Sequence, residues 1–128
     1  MTMEDVSPLS YVAVSPRDAR HFVRRTLTAL NCSALIDDAE LLVSEVVTNA
    51  VLHGGVVNAP VSIERTVSGV RIEVIDPGQL FAPEPPALDL STPGGLGLGI
   101  VESVSTGWGV TPTPDGKIVW FELALPAA

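Results

Sequence analysis

The order of the sequence patterns predicts an α+β protein, a two-layer sandwich in which a mixed, mostly antiparallel sheet carries helices on one face. Two helical segments come first, and two pairs of strand-like segments follow, with one short helix between the pairs. The 128 residues suffice for one core. We therefore expect residues 1–128 to form a single domain.

The first elements are a short strand and two helices. Residues 9–14 alternate as a strand, and Ser15 then fits a helix N-cap, with Pro16 at the first helical position and Asp18 closing a capping box. The second helix is expected over residues 37–53, because its first turn is acidic and two glycines follow it.

The second half of the chain consists of strands. Residues 61–67 and 70–76 are expected to form a tight hairpin at Ser68-Gly69, and residues 108–113 and 117–125 a second one. A short helix is expected over residues 100–105. Between them, residues 77–93 contain five prolines and show no periodicity. Such a long irregular segment indicates a functional lid or a disordered stretch.

Composition excludes several classes of protein. The net charge of −8 argues against direct nucleic-acid binding, which needs clustered basic side chains, and four of the seven basic residues crowd into the first helix. The single cysteine, Cys32, fits a reducing compartment. The N-terminus lacks the pattern of a signal peptide, and no apolar stretch reaches membrane-spanning length. We expect a cytoplasmic protein that has no contact with membranes.

Three polar side chains recur at intervals of four in the otherwise apolar second helix. Glu45, Asn49 and His53 would form one stripe, because four residues advance a helix by about one turn. A polar stripe on a buried helix needs partners. It is either a hydrogen-bonded network in the core or the lining of a ligand or metal site.

Two further features accompany this stripe. Asp76 falls on the apolar face of its strand, where it either begins a turn with Pro77 and Gly78 or accepts a hydrogen bond from the amino group of a flat, buried ligand. The glycines of residues 95–99 precede a helix and would let the backbone approach phosphate oxygens. They follow neither the Rossmann nor the P-loop pattern.

The combination of these motifs resembles the GHKL ATPase superfamily, which has the Bergerat fold. The match extends from about residue 15 to residue 126, and residues 45–54 (EVVTNAVLHG) are its most specific block. Within the superfamily the chain is similar to bacterial anti-sigma-factor serine-protein kinases. Residues 117–123 (KIVWFEL) resemble the closing strand of that family.

The resemblance implies a role for each matching position. Glu45 would be the general base, and Asn49 would bind Mg²⁺ and the nucleotide. Asp76 would receive the amino group of adenine, with Gly78 leaving room for the base. Residues 77–95 would be the ATP lid, and the phosphates would be wrapped by Gly95, Leu96, Gly97, Leu98 and Gly99. His53 either contacts the ligand or satisfies backbone carbonyls at the end of the helix.

The implied protein holds a sigma factor inactive and phosphorylates a serine on a STAS-type anti-anti-sigma antagonist, using ATP and Mg²⁺. Proteins of this family usually act as homodimers. The chain departs from the family at Leu80 and Ile118, where a glycine and a threonine are common, and residues 72–116 contain no Lys or Arg. One alternative is therefore an ATP-binding partner-switch module without kinase activity. Another is an interaction domain that binds no nucleotide.

Overall fold

The structure is a computed structural model of the chain and describes residues 11–78 and 98–126. Its elements, in chain order, are β1 (Val12–Val14), α1 (Pro16–Ala29), a 3₁₀ turn (Ser33–Leu35), α2 (Ile36–Gly54), β2 (Ala59–Arg65), β3 (Gly69–Asp76), α3 (Leu98–Val104), β4 (Gly107–Thr113) and β5 (Gly116–Ala124).

The strands form one five-stranded sheet in the order β1-β2-β3-β5-β4, and each pairing of neighbours is antiparallel. The predicted α+β sandwich is confirmed, but the sheet is antiparallel throughout its described strands rather than mixed. The reason lies in the position of β5. β3 and β4, which precede and follow α3 in the chain, run in the same direction. β5 runs in the opposite direction, lies between them in the sheet and pairs with both.

One face of this sheet packs against the helices and forms the core. Along β3, alternate residues point toward the helices, and β5 places the matching residues opposite them. The core side chains from the two strands are Val70, Ile72, Val74, Val119, Phe121 and Leu123. The helices cover them with Ala19, Val23 and Leu27 from α1 and with Leu42, Val43, Val46, Val47 and Ala50 from α2.

The start of α1 follows the predicted cap. The Ser15 hydroxyl accepts a hydrogen bond from the backbone N–H of Asp18 at 3.1 Å, and Pro16 occupies the first turn. A bidentate ion pair joins α1 to α2. Arg24 Nε donates to Glu40 Oε2 at 2.9 Å, and Arg24 Nη2 donates to Glu40 Oε1 at 3.2 Å. Because the Arg24 side chain is 57% exposed, this ion pair contributes little to stability. Among the described helices, none is both long and apolar enough to cross a bilayer.

The first hairpin has a longer loop than the one predicted at Ser68-Gly69. β2 ends at Arg65 and β3 begins at Gly69, so Thr66, Val67 and Ser68 form a three-residue loop. The N–H of Thr66 donates to the carbonyl of Gly69 at 2.9 Å, and the N–H of Gly69 donates to the Thr66 hydroxyl at 3.0 Å. The predicted loop was wrong because Gly69, although glycine is typical of turns, belongs to β3 and pairs with Ala124.

The sheet face away from the helices carries a charged network centred on Arg71. Its guanidinium contacts the carboxylates of Glu73 at 3.0 Å and Glu122 at 3.2 Å, and it lies 4.2 Å from the centre of the Trp120 ring. The Tyr11 hydroxyl donates to Glu73 at 2.5 Å. This network ties the segment preceding β1 to the centre of the sheet.

Tyr11 should lose its proton at a higher pH than an ordinary tyrosine does. Burial and the adjacent Glu73 carboxylate raise the pKa of this phenol from 10.0 to about 12. Because the folded-state pKa lies above the unfolded one, the contribution to the free energy of unfolding is complete below pH 10 and disappears as the pH rises toward 12. Tyr11 is the single tyrosine of the chain, so phenolate absorbance reports it alone.

The same absorbance titration in denaturant should have its midpoint near 10, the ordinary value for tyrosine. Glu73→Gln removes the carboxylate and should move the midpoint of the folded protein down toward that value. Equal midpoints in folded and unfolded wild-type protein would contradict the hydrogen bond from Tyr11 to Glu73.

Candidate functional site

Asp76 is the last residue of β3 and lies on the helix-facing side of the sheet, as the alternation predicted. It is 3% exposed and is one of two buried polar residues, with Ser62, in the described part of the chain. Its Oδ1 accepts the backbone N–H of Gly78 at 2.7 Å. Asp76 therefore begins a turn, which was one of the two alternatives, and it does so as a buried carboxylate with its second oxygen still available to a donor.

A lysine side chain lies beside the second carboxylate oxygen of Asp76, and the sequence analysis did not identify this lysine as a site residue. Lys117 stands directly opposite Asp76 in the register of β3 and β5, and its Nζ lies 3.3 Å from Asp76 Oδ2. The Lys117 side chain is 21% exposed and that of Asp76 5% exposed, so the pair is largely removed from water. A signal existed, since Lys117 is the single lysine of the chain and follows the glycine of a hairpin.

Two glycines permit this arrangement. A Cβ on Gly116 would lie 2.2 Å from the carbonyl oxygen of Asp76, so only a glycine lets the start of β5 approach the end of β3 this closely. A Cβ on Gly78 would lie 2.8 Å from Asp76 Oδ1 and 3.6 Å from Lys117 Nζ. Gly78 is therefore packed closely against the carboxylate, and a side chain at this position would collide with Asp76 Oδ1.

The end of α2 packs against the turn that follows Asp76. An added Cβ on Gly54 would lie 2.9 Å from Cγ of Pro77, and one on Gly78 would lie 3.6 Å from the carbonyl oxygen of His53. Gly55 ends α2 in the left-handed conformation, and its N–H donates to the carbonyl of Val51. The last turn of the helix and the turn after β3 are thus neighbours.

The polar stripe of α2 lies at the edge of the core rather than inside it. Glu45 and Asn49 are half-buried and His53 is exposed, which corrects the expectation of a stripe on a helix buried on most sides. The apolar surface of α2 is also open in places, since Leu41 is 44% and Leu52 69% exposed. The core network and the ligand lining, the two alternatives for this stripe, both stay predictions.

α3 begins at Leu98, two residues earlier than predicted, and therefore contains Gly99. The carbonyl of Gly99 accepts a hydrogen bond from the Ser103 hydroxyl at 2.9 Å. Val101 is fully buried and anchors α3 in the core. Gly95, Leu96 and Gly97, and residues 79–94 of the predicted lid, lie outside the described residues.

Across the described residues, no three His, Cys, Asp or Glu side chains are grouped as a metal cluster. The described residues therefore do not offer the several clustered ligands that a Ca²⁺ or Zn²⁺ site in a protein uses. A Mg²⁺ ion needs fewer protein ligands, because it is commonly held by one or two protein oxygens together with phosphate oxygens of the substrate. Asn49 offers a hard amide oxygen of this kind, one turn from the Glu45 carboxylate on the same helix.

The comparison with known families agrees with this geometry. The model of the histidine kinase-like ATPase domain matches residues 12–123, nearly the whole chain. The chain belongs to this family of GHKL-type ATPase domains, a class of domain that binds ATP. No curated protein sequence gives a significant match.

Gly116→Ala should destabilise the protein more than Gly55→Ala does. Both glycines have positive φ, of 156° and 68°, but an added Cβ meets nothing within 4 Å at Gly55 and would collide with the Asp76 carbonyl at Gly116. We expect about 1–2 kcal/mol for the backbone conformation at Gly55, and about 3 kcal/mol or more at Gly116 because the two strands must separate. Urea unfolding of the two variants measures both losses.

Equal losses in the two variants would contradict the close approach of β5 to Asp76. Gly55→Ala serves as the matched control, since it makes the same chemical change at a positive φ without the collision.

Proposed function

We propose that this chain is an ATP- and Mg²⁺-dependent serine-protein kinase of the anti-sigma type. It would sequester a sigma factor and phosphorylate a serine of a STAS-type anti-anti-sigma antagonist. The observation that carries the proposal is the buried Asp76 carboxylate, whose turn packs against the end of the helix that bears Glu45 and Asn49. This juxtaposition occurs in a chain that belongs to the histidine kinase-like ATPase family.

Asp76 would bind the base of ATP. Its Oδ2 lies 3.3 Å from Lys117 Nζ, and because a carboxylate oxygen has two lone pairs it can also accept a hydrogen bond from the exocyclic amino group of adenine. Oδ1 is held by the N–H of Gly78, so the carboxylate is fixed in orientation before the ligand arrives. A fixed acceptor loses little conformational entropy on binding.

Glu45 would be the general base. It would take the proton of the substrate serine hydroxyl while the serine oxygen bonds to the γ-phosphorus and the bond from that phosphorus to the β–γ bridging oxygen breaks, which releases ADP. The partial exposure of Glu45 supports this role, because a half-buried carboxylate can be reached by a substrate hydroxyl.

Asn49 would hold Mg²⁺ through its amide oxygen, and His53 and residues 95–99 would complete the contacts with the nucleotide. When bound, Mg²⁺ supplies charge neutralisation at the phosphates. Asn49 lies one turn from Glu45, so the residue that orients the phosphates and the residue that accepts the proton share one rigid helix.

The partners in this proposal are proteins, and the active form is a homodimer. The net charge of −8, with basic residues gathered in α1, supports docking to charged protein surfaces rather than to nucleic acid. The four arginines of α1 (Arg17, Arg20, Arg24 and Arg25) are exposed, although Arg20 and Arg24 also bond to Ser44 and Glu40 of α2.

The alternative is an ATP-binding partner-switch module without kinase activity. Phosphoryl transfer depends strongly on cations near the phosphates. Residues 72–116 contain no Lys or Arg, and the next basic residue, Lys117, is paired with Asp76, the proposed ligand of the adenine base. This placement favours ATP as a conformational ligand whose phosphates are not transferred.

Asp76→Asn should weaken ATP binding more than Glu45→Ala does. Asp76 would contact the base in the ground state, whereas a general base contributes mainly in the transition state. Loss of one charge-assisted hydrogen bond should raise the dissociation constant about 10- to 100-fold. Isothermal calorimetry with Mg-ATP measures this, and Asp115→Asn, at an exposed turn, is the matched control.

Wild-type affinity in both Asp76→Asn and Glu45→Ala would contradict the assignment of the pocket. If wild-type protein itself bound no ATP with or without Mg²⁺, the interaction domain that binds no nucleotide would be the better account.

Glu45→Gln should retain Mg-ATP binding and abolish phosphorylation of the antagonist. The amide preserves the shape of the side chain but cannot accept the serine proton. The assay mixes protein, Mg-ATP and a STAS-type antagonist, and follows phosphoserine by mass spectrometry. Glu64→Gln, at an exposed position on β2, is the matched control and should transfer at the wild-type rate.

Transfer by wild-type protein that is lost in Glu45→Gln supports the kinase. If wild-type protein bound both ATP and antagonist but transferred no phosphate, the partner-switch module would replace it.

A further inference from the structure

The single lysine of this protein lies beside the carboxylate proposed to bind adenine. Lys117 Nζ is 3.3 Å from Asp76 Oδ2, and the two residues face each other across the β3–β5 ladder. The close approach at Gly116 fixes the backbone at this point. The ammonium group and Asp76 Oδ2 therefore lie side by side, with Gly78 next to both residues.

The ammonium group has hydrogen-bonding capacity to spare. It carries three N–H donors, and within residues 11–78 and 98–126 the ion pair that it forms is with Asp76. The other carboxylate oxygen of Asp76, Oδ1, accepts the backbone N–H of Gly78. With 21% of its side chain exposed, Lys117 can turn a further N–H toward a ligand.

The pair presents an acceptor and a donor side by side, which is the complement of adenine. The adenine ring carries an amino donor at C6, with acceptor nitrogens N7 and N1 on either side of it. A carboxylate that accepts from the amino group would leave the neighbouring ammonium group facing one of these ring nitrogens. A charged donor makes such a hydrogen bond stronger than a neutral one.

We propose that Lys117 is a specificity-determining residue that donates a hydrogen bond to a ring nitrogen of adenine adjacent to the amino group bound by Asp76. The inference rests on the proposed binding of ATP at Asp76. A lysine that served only to neutralise Asp76 would affect all nucleotides equally, and a lysine that bound phosphate would respond to the triphosphate rather than to the base.

The first test is a binding cycle between protein variants and ATP analogues. The proteins are wild type, Lys117→Met and Lys117→Arg, and the ligands are ATP and its 1-deaza and 7-deaza analogues, in which C–H replaces one ring nitrogen. We expect wild type to bind one of the two analogues about 10- to 100-fold more weakly than ATP, because one charge-assisted hydrogen bond is lost. Lys117→Met should bind ATP as weakly as that analogue and should not discriminate between them, and Lys117→Arg should restore discrimination in part.

The ratio of wild-type to Lys117→Met affinity decides the result. A ratio that falls to about one with a single analogue supports the hydrogen bond and shows whether N1 or N7 accepts it. A ratio that is the same for all three ligands overturns the inference and leaves Lys117 as a neutralising partner of Asp76.

The second test needs no variant, because the chain has one lysine. Brief acetylation followed by mass spectrometry reports the reactivity of Lys117, with the α-amino group of the chain as internal reference. Saturating adenosine should protect Lys117 several-fold, and inorganic triphosphate should not. Protection by triphosphate but not by adenosine would overturn the inference in favour of a phosphate contact.

The two proposals fail in different ways. If calorimetry shows that wild-type protein binds no ATP, the proposed function fails and this inference fails with it. If wild type binds ATP but adenosine leaves the reactivity of Lys117 unchanged, the inference alone is overturned.

Discussion

The antiparallel pairing of β3 with β5 is the interaction on which the site depends. It extends from Gly69 opposite Ala124 to Asp76 opposite Lys117, so β3 is paired with β5 over its full length. At one end the pairing is apolar and forms the core under the helices. At the other end it brings a carboxylate and an ammonium group together at the margin of that core.

Burying Asp76 requires compensation, because a carboxylate loses its hydration when it leaves water. The structure provides this with one backbone N–H from Gly78 and one ammonium group from Lys117. Both lie on the side of the sheet toward which the end of α2 also points. The two partners of the carboxylate therefore hold it in one orientation at the end of the β3–β5 pairing.

On the opposite face of the sheet, the same two strands carry a charged network instead of a hydrophobic core. There Arg71 of β3 lies between Glu73 and Glu122 and over the Trp120 ring. Alternation along β3 sends Arg71 and Glu73 to this face and Ile72 and Val74 to the core. The two strands consequently carry the core, the candidate nucleotide site and a charged network without conflict, because each uses a different face or end.

The sequence by itself determined the fold class, the order of the elements and the burial of Asp76. These follow from local signals, namely the Ser15 cap, the helical spacing of α1 and α2, and the period-two alternation of β3, each of which operates within a few residues. The tertiary structure alone decided the order of the strands, and with it that β5 lies between β3 and β4 and places Lys117 opposite Asp76. It also decided that Gly69 belongs to a strand and that Glu45, Asn49 and His53 lie at the edge of the core. These features depend on contacts between residues far apart in the chain, which periodicity and spacing along the sequence do not encode.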